Sequence, residues 1–184
     1  DWSWSRGLGD VYKRQTLLIF SGTCVAQAAY KLETVAEGLN FPWSIAFLPS
    51  GGYLVAMRSG EVRRISTNGD VSEPITGLPD SYVMSQGGYF DITLDPNFVS
   101  NQRVYLSFAH GTADANATRI VAGRLEGNTV TGVEPIFTVT PLKDTPVHYG
   151  GKMLFQSDGT LLMTTGDGFE SVSYTHLRAH ETNS

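Results

Sequence analysis

A histidine beside two glycines at the entrance to an apolar strand is the feature of this sequence best suited to chemistry. His148 stands in Thr145-Pro-Val-His-Tyr-Gly-Gly-Lys152. An imidazole changes charge near neutral pH, so it can act there as a general base. Gly150 and Gly151 let the backbone approach a flat ligand or another chain. A lone histidine can equally serve structure. Asp167 lies in Gly166-Asp167-Gly168, just after the next apolar run. An acid between glycines forms turns, and it can also bind metal or substrate. Gln86, in Ser85-Gln86-Gly87-Gly88, precedes an apolar strand as His148 does. If the two strands belong to equivalent units, Gln86 and His148 line the same end of the fold. Asp91, inside the second of those runs, reads as a structural acid holding a neighbouring loop.

Other motifs carry less. Asn116-Ala-Thr118 has the form of a glycosylation sequon, a pattern common by chance. Arg63-Arg64 reads as a solvated strand face. His176 and His180 have the i, i+4 spacing of helical metal ligands. They lie in a terminal run unlike the rest, and Leu177-Arg178-Ala179 lacks the glutamate of a zinc-protease helix. There is no phosphate loop, dinucleotide fingerprint or nucleophile elbow.

The elements that must position these residues repeat. The first unit has Trp43 to Ala56 followed by Gly60 to Ile65. The second has Gly88 to Phe98, then Arg103 to Ala109 and Arg119 to Leu125. The third runs from Gly151 to Gly166. Each unit is an apolar strand, a turn of Pro, Asp, Asn or Gly, and a second apolar strand. Pro49 to Pro96 is 47 residues and Pro96 to Ser157 is 61. A strand-rich unit recurring at about 40 to 50 residues marks the blades of a β-propeller. The longer second interval implies an insertion, at Gly111 to Thr118 or Lys143 to Val147. No long helical period appears, so the fold class is all-β. About three blades fit, an incomplete ring, because propellers typically close with 4 to 8. A β-sandwich is the competing architecture.

Bulk properties agree with an exported globular chain. Charged residues make up 17% and the net charge is −5, without the basic stripe of a nucleic-acid binder. Leu17 to Phe20 and Cys24 to Ala26 follow Lys13-Arg14 and end in Ala26-Gln-Ala-Ala29. Charged start, apolar middle and small-residue exit predict a secretory signal over 16–29, too short to span a bilayer. The expected location is periplasmic or secreted, with no membrane span in the mature chain. The single cysteine, Cys24, falls inside that signal, so no disulfide is available to the mature chain. Residues 1–15 and 171–184 lack strand or helix period and read as linker- or adapter-derived sequence. The domain itself is expected over 30–170.

Three ordered segments carry a family resemblance. Leu39-Asn-Phe-Pro-Trp-Ser-Ile-Ala-Phe-Leu-Pro49, Gln86-Gly-Gly-Tyr-Phe-Asp-Ile-Thr-Leu-Asp-Pro-Asn-Phe98, and His148 to Phe155 with Asp158 to Gly168 resemble the glucose/sorbosone dehydrogenases. The nearest likeness is to the soluble aldose sugar dehydrogenases that use pyrroloquinoline quinone (PQQ), over about Leu32 to Glu170. The resemblance implies the N-terminal half of a six-bladed propeller that oxidises the anomeric hydroxyl of aldoses to lactones. It implies PQQ and calcium as cofactors, an aldose substrate and an external electron acceptor. It makes His148 the general base and a cofactor contact. Gln86 lines the cofactor and substrate site, and Asp167 orients His148 as the acid of a triad does. The cations for the cofactor carboxylates and the carbonyls for calcium belong to later blades of the family. These residues alone are therefore expected neither to hold the cofactor tightly nor to turn over sugar.

Two other functions fit the repeat. One is a non-catalytic binding propeller. The other is a propeller lactonase, which would need metal-binding carboxylates around the channel.

Overall fold

Alternating apolar residues between turn formers fold into antiparallel hairpins in the computed structural model, which describes residues 30–168. Among the described residues, Thr34 onward belongs to one unit and residues 30–33 to a separate one. The described elements are β1 (Pro42–Phe47), β2 (Tyr53–Met57), β3 (Glu61–Ile65), β4 (Tyr89–Leu94), α1 (Phe98–Asn101), β5 (Arg103–Gly111), β6 (Asn116–Glu126), β7 (Thr129–Thr138), β8 (Gly150–Phe155) and β9 (Leu161–Thr165). They form three sheets in chain order, β1-β2-β3, β4-β5-β6-β7 and β8-β9. The signal over 16–29, the linker-like run 1–15 and the tail 171–184 lie outside the described residues.

The turn residues close these hairpins. Leu48 O accepts the Gly51 N–H at 2.9 Å between β1 and β2. Asp158 Oδ1 accepts the Thr160 N–H at 2.9 Å between β8 and β9, an Asx turn that a short polar side chain supplies. The middle sheet has the four strands of a propeller blade. Its outer strand, β7, was not expected from the sequence, because Glu134 and Pro135 interrupt the apolar alternation.

The longer second interval is not an inserted loop at Gly111 to Thr118, whereas Lys143 to Val147 lies in the irregular connection between β7 and β8. Gly111 ends β5 and Asn116 begins β6, so only residues 112–115 turn between them. Extra length also sits in long strands of 9, 11 and 10 residues. Arg63 and Arg64 are half-buried rather than solvated. Arg63 donates to Ser72 O at 3.0 Å, and Arg64 Nη2 reaches Gly127 O at 2.9 Å on the neighbouring sheet.

Packing joins the sheets. Leu54, Ala56 and Val62 of the first merge with Tyr89, Leu106, Phe108 and Val121 of the second into one apolar core. Each large side chain buried there contributes roughly 1.5–3 kcal/mol. A smaller cluster of Phe90, Ala109 and Tyr149 joins the second sheet to the third, with Tyr82 packed against it.

Asp91 ties the first strands of the three sheets together. It is fully buried on β4. Its carboxylate accepts the Met153 N–H at 2.7 Å and the Lys152 ammonium at 2.9 Å, both from β8. The Ser44 hydroxyl of β1 donates to it as well. Asp91 therefore holds two strands rather than a loop.

Asn116 is fully buried at the start of β6. Its amide donates to Thr112 O at 3.0 Å and its Oδ1 accepts the Tyr149 hydroxyl at 2.6 Å. A glycan on Nδ2 would require this buried side chain to leave the core. Secretion from a eukaryotic host is expected to leave Asn116 unmodified, with no mass change on treatment with a peptide N-glycosidase.

Candidate active site

The strand entrances bring Gln86 and His148 together. Gln86 lies just ahead of β4 and His148 just ahead of β8, and β4 packs against β8. The Gln86 N–H donates to Pro146 O at 3.1 Å. The His148 N–H donates in turn to Gln86 Oε1 at 2.8 Å. This reciprocal pair fixes one loop against the other. His148 adopts φ +54°, in the left-handed region. Histidine is among the non-glycine residues that tolerate this region.

Asp167 reaches His148 through the β8–β9 hairpin. His148 Nδ1 and Asp167 Oδ1 are 2.6 Å apart. An ionised carboxylate only accepts, so Nδ1 carries the hydrogen and the neutral ring has its lone pair on Nε2. The strand end is set by the Gly166 N–H on Tyr149 O at 3.0 Å and the Thr145 hydroxyl on Gly168 O at 2.8 Å. Glycine is required at 166, because a Cβ there would stand 2.0 Å from His148 O. The His148 and Asp167 side chains are 40% and 54% exposed, so the pair faces open space rather than the core.

Beneath the pair lies a buried support. Tyr149 packs against Phe90 with ring centroids 5.1 Å apart. Its carbonyl accepts the Thr118 hydroxyl at 2.9 Å, and its own hydroxyl donates to Asn116. Burial pushes the Tyr149 phenol up to about 12, so it keeps its proton for that bond. Lys143 covers the other side. Its Nζ lies 3.6 Å from the Tyr149 ring centroid and donates to Val147 O. Burial brings the Lys143 ammonium down to about 8, against the opposing pull of the Asp167 charge.

Sequence reasoning singled out His148, Asp167 and Gln86, and the structure places all three in contact. It missed Lys143 and Tyr149, and it gave Asn116-Ala-Thr118 only as a glycosylation sequon of a pattern common by chance. No local spacing signals them, because Asn116 and Tyr149 meet across 33 positions. A depression of about 520 Å³ lies at the opposite ends of the first strands, lined by Ile45, Phe47, Leu94 and Leu154 among others. It contains no acid or histidine. Among the described residues, no three of His, Cys, Asp and Glu come together as a metal cage.

A family model described as "Glucose / Sorbosone dehydrogenase" matches residues 39–183. The chain belongs to the glucose/sorbosone dehydrogenase family. Among its relatives is the aldose sugar dehydrogenase YliI of Escherichia coli K12, 32% identical over 155 residues, or 82% of this chain and 42% of that one. The apo crystal structure of the soluble E. coli aldose sugar dehydrogenase superposes with a TM-score of 0.70 at 33% identity, covering 75% of this chain and 41% of that one. A PQQ-bound aldose sugar dehydrogenase from Streptomyces coelicolor gives 0.67 at 28% identity, covering 77% and 42%. The chain thus spans about two fifths of the length of the glucose/sorbosone dehydrogenases it matches. Its three sheets are β-propeller blades, the middle one with all four strands, in a ring that these residues do not close. No helix among the described residues is long and apolar enough to cross a membrane.

Proposed function

We propose that this chain supplies the base-bearing part of an exported, PQQ-dependent aldose dehydrogenase. The observation that carries the reading is the His148–Asp167 pair at 2.6 Å, held at an open strand entrance by Gln86. Family membership supplies the reaction class, and the PQQ-bound relative supports the cofactor.

The residues present suit the carbonyl side of a flat quinone. An exposed imidazole and a carboxamide stand together there, and the Gln86 amide nitrogen keeps donor hydrogens. Gln86 and His148 would contact the cofactor. Bound PQQ would supply the acceptor for the hydride that leaves C1 of the sugar. His148 Nε2 would take the proton of the anomeric hydroxyl, so that C1 becomes the lactone carbonyl. Asp167 would hold the Nδ1–H tautomer and stabilise the imidazolium that forms. Among the described residues no three of His, Cys, Asp and Glu gather as a calcium cage. The family's cations for the cofactor carboxylates belong to its later blades, so Asp1–Ser184 alone is expected to oxidise no sugar.

The test is dye-coupled oxidation of aldoses by the intact gene product with PQQ and calcium. Sugar-dependent dye reduction that requires PQQ supports the reading. Lactone hydrolysis with calcium and no quinone would make the protein a lactonase. Sugar binding without either activity would make it a binding propeller.

A further inference from the structure

We propose that Lys143 is a positioning residue for His148: it grips the chain on both sides of the histidine and so keeps the imidazole on Asp167. Val147 and Tyr149 flank His148, and Lys143 touches both. Its Nζ donates to the Val147 carbonyl and lies 3.6 Å from the Tyr149 ring centroid. An ammonium over an aromatic face is attracted by the ring quadrupole, more strongly where water is excluded. The ring is itself fixed, by Phe90 on its face and Asn116 on its hydroxyl. Lys143 thus ties an exposed loop to a buried anchor.

The loop needs such a tie. A non-glycine residue at positive φ costs energy and persists only where its surroundings impose it. Here the imposing contacts are Gln86 on the His148 N–H, Tyr149 next in the chain, and Lys143 across both flanks. Without Lys143, the peptide before His148 loses the ammonium held on its carbonyl. The backbone can then relax out of the left-handed region and swing the ring from Asp167. The neighbouring strands supply the remaining charges and titratable groups. Asp167 attracts the Lys143 ammonium, and Tyr149 lies beneath it with Tyr82 behind. The amine's lowered pKa has a sign. Between about 8 and the ordinary lysine value of about 10.4 the unfolded chain binds more protons here than the folded one. The Lys143 contribution to stability therefore rises with pH across that window and is flat below it.

The inference rests on the proposed role of His148 only for its catalytic consequence, because its test needs neither cofactor nor activity. Uniformly ¹⁵N-labelled Asp1–Ser184 would be examined by long-range ¹H–¹⁵N correlation of its four histidines. His148→Gln assigns the signal. The parent is expected to show His148 as a single Nδ1–H tautomer at pH 7.5. Lys143→Met is expected to lose that signature and give averaged ring nitrogens. Lys143→Arg, which keeps a cation able to reach the carbonyl and the ring, is expected to restore it. Tyr149→Phe keeps the ring under Lys143 but loses the Asn116 bond. It is expected to unfold earlier in urea while keeping the Nδ1–H tautomer. An unchanged tautomer in Lys143→Met would overturn the proposal. So would loss of the tautomer in Tyr149→Phe to the same degree, since general loosening would then explain both.

Discussion

Asp91→Ala is expected to lower the unfolding free energy by about 3 kcal/mol, the range for removing the acceptor of a buried, charge-assisted set of bonds. The carboxylate is fully buried and serves donors from two neighbouring strands. Its loss strands the Met153 N–H in the interior, where a buried unpaired donor costs about 1–3 kcal/mol. It also frees the Ser44 hydroxyl. The Lys152 contact adds little, because that side chain is 67% exposed and water replaces the carboxylate. Asp91→Asn should lose about half as much, since its amide oxygen can still accept the Met153 N–H. Urea titration of Asp1–Ser184 gives the answer. A midpoint shift equivalent to less than about 1 kcal/mol would mean that packing, not this carboxylate, joins the strands.

His148→Gln should reduce dye-coupled sugar oxidation by the intact gene product by about 10²–10⁴-fold, the usual contribution of a general base. The loss should fall on kcat, with KM changed little, because the proton moves only in the transition state. Asp167→Asn should lower kcat as well. An amide can present N–H to Nδ1, which places the ring hydrogen on Nε2 and removes the lone pair needed there. A His148→Gln protein that retained a tenth or more of parent activity would remove the base from His148. The expectations for Asp91 and His148 are independent, since one is read on folding and the other on turnover.

How much of this was legible in the sequence depended on distance along the chain. The hairpins were, because strand alternation and turns such as Ser157-Asp-Gly159 act within a few residues. The Gln86 and His148 entrances were grouped because polar residue, glycines and apolar strand recur at both. Asp91 stood out as an acid inside an apolar strand, but its partners did not, since they come from other strands. Arg63-Arg64 failed for the same reason, its second member reaching Gly127 across 63 positions. β7 was hidden by the charged and proline residues that suit an outer strand. The support beneath the site was hidden most completely. Lys143 lies in an irregular run, and its two contacts follow from where the loop folds rather than from any period.

The bonds converging on Asp91 also bear on the order of folding. Its partners Ser44, Lys152 and Met153 stand 47, 61 and 62 positions away, whereas the hairpins close over turns of a few residues. Local hairpins form in about 1–10 μs, while contacts at such separations must wait for the intervening chain to collapse. The carboxylate is therefore expected to engage after the rate-limiting barrier. In stopped-flow measurements Asp91→Ala should then accelerate unfolding and leave the refolding rate nearly unchanged, a φ-value near zero. The junction would act as a latch on blades already built, governing how long the native state lasts more than how fast it is reached.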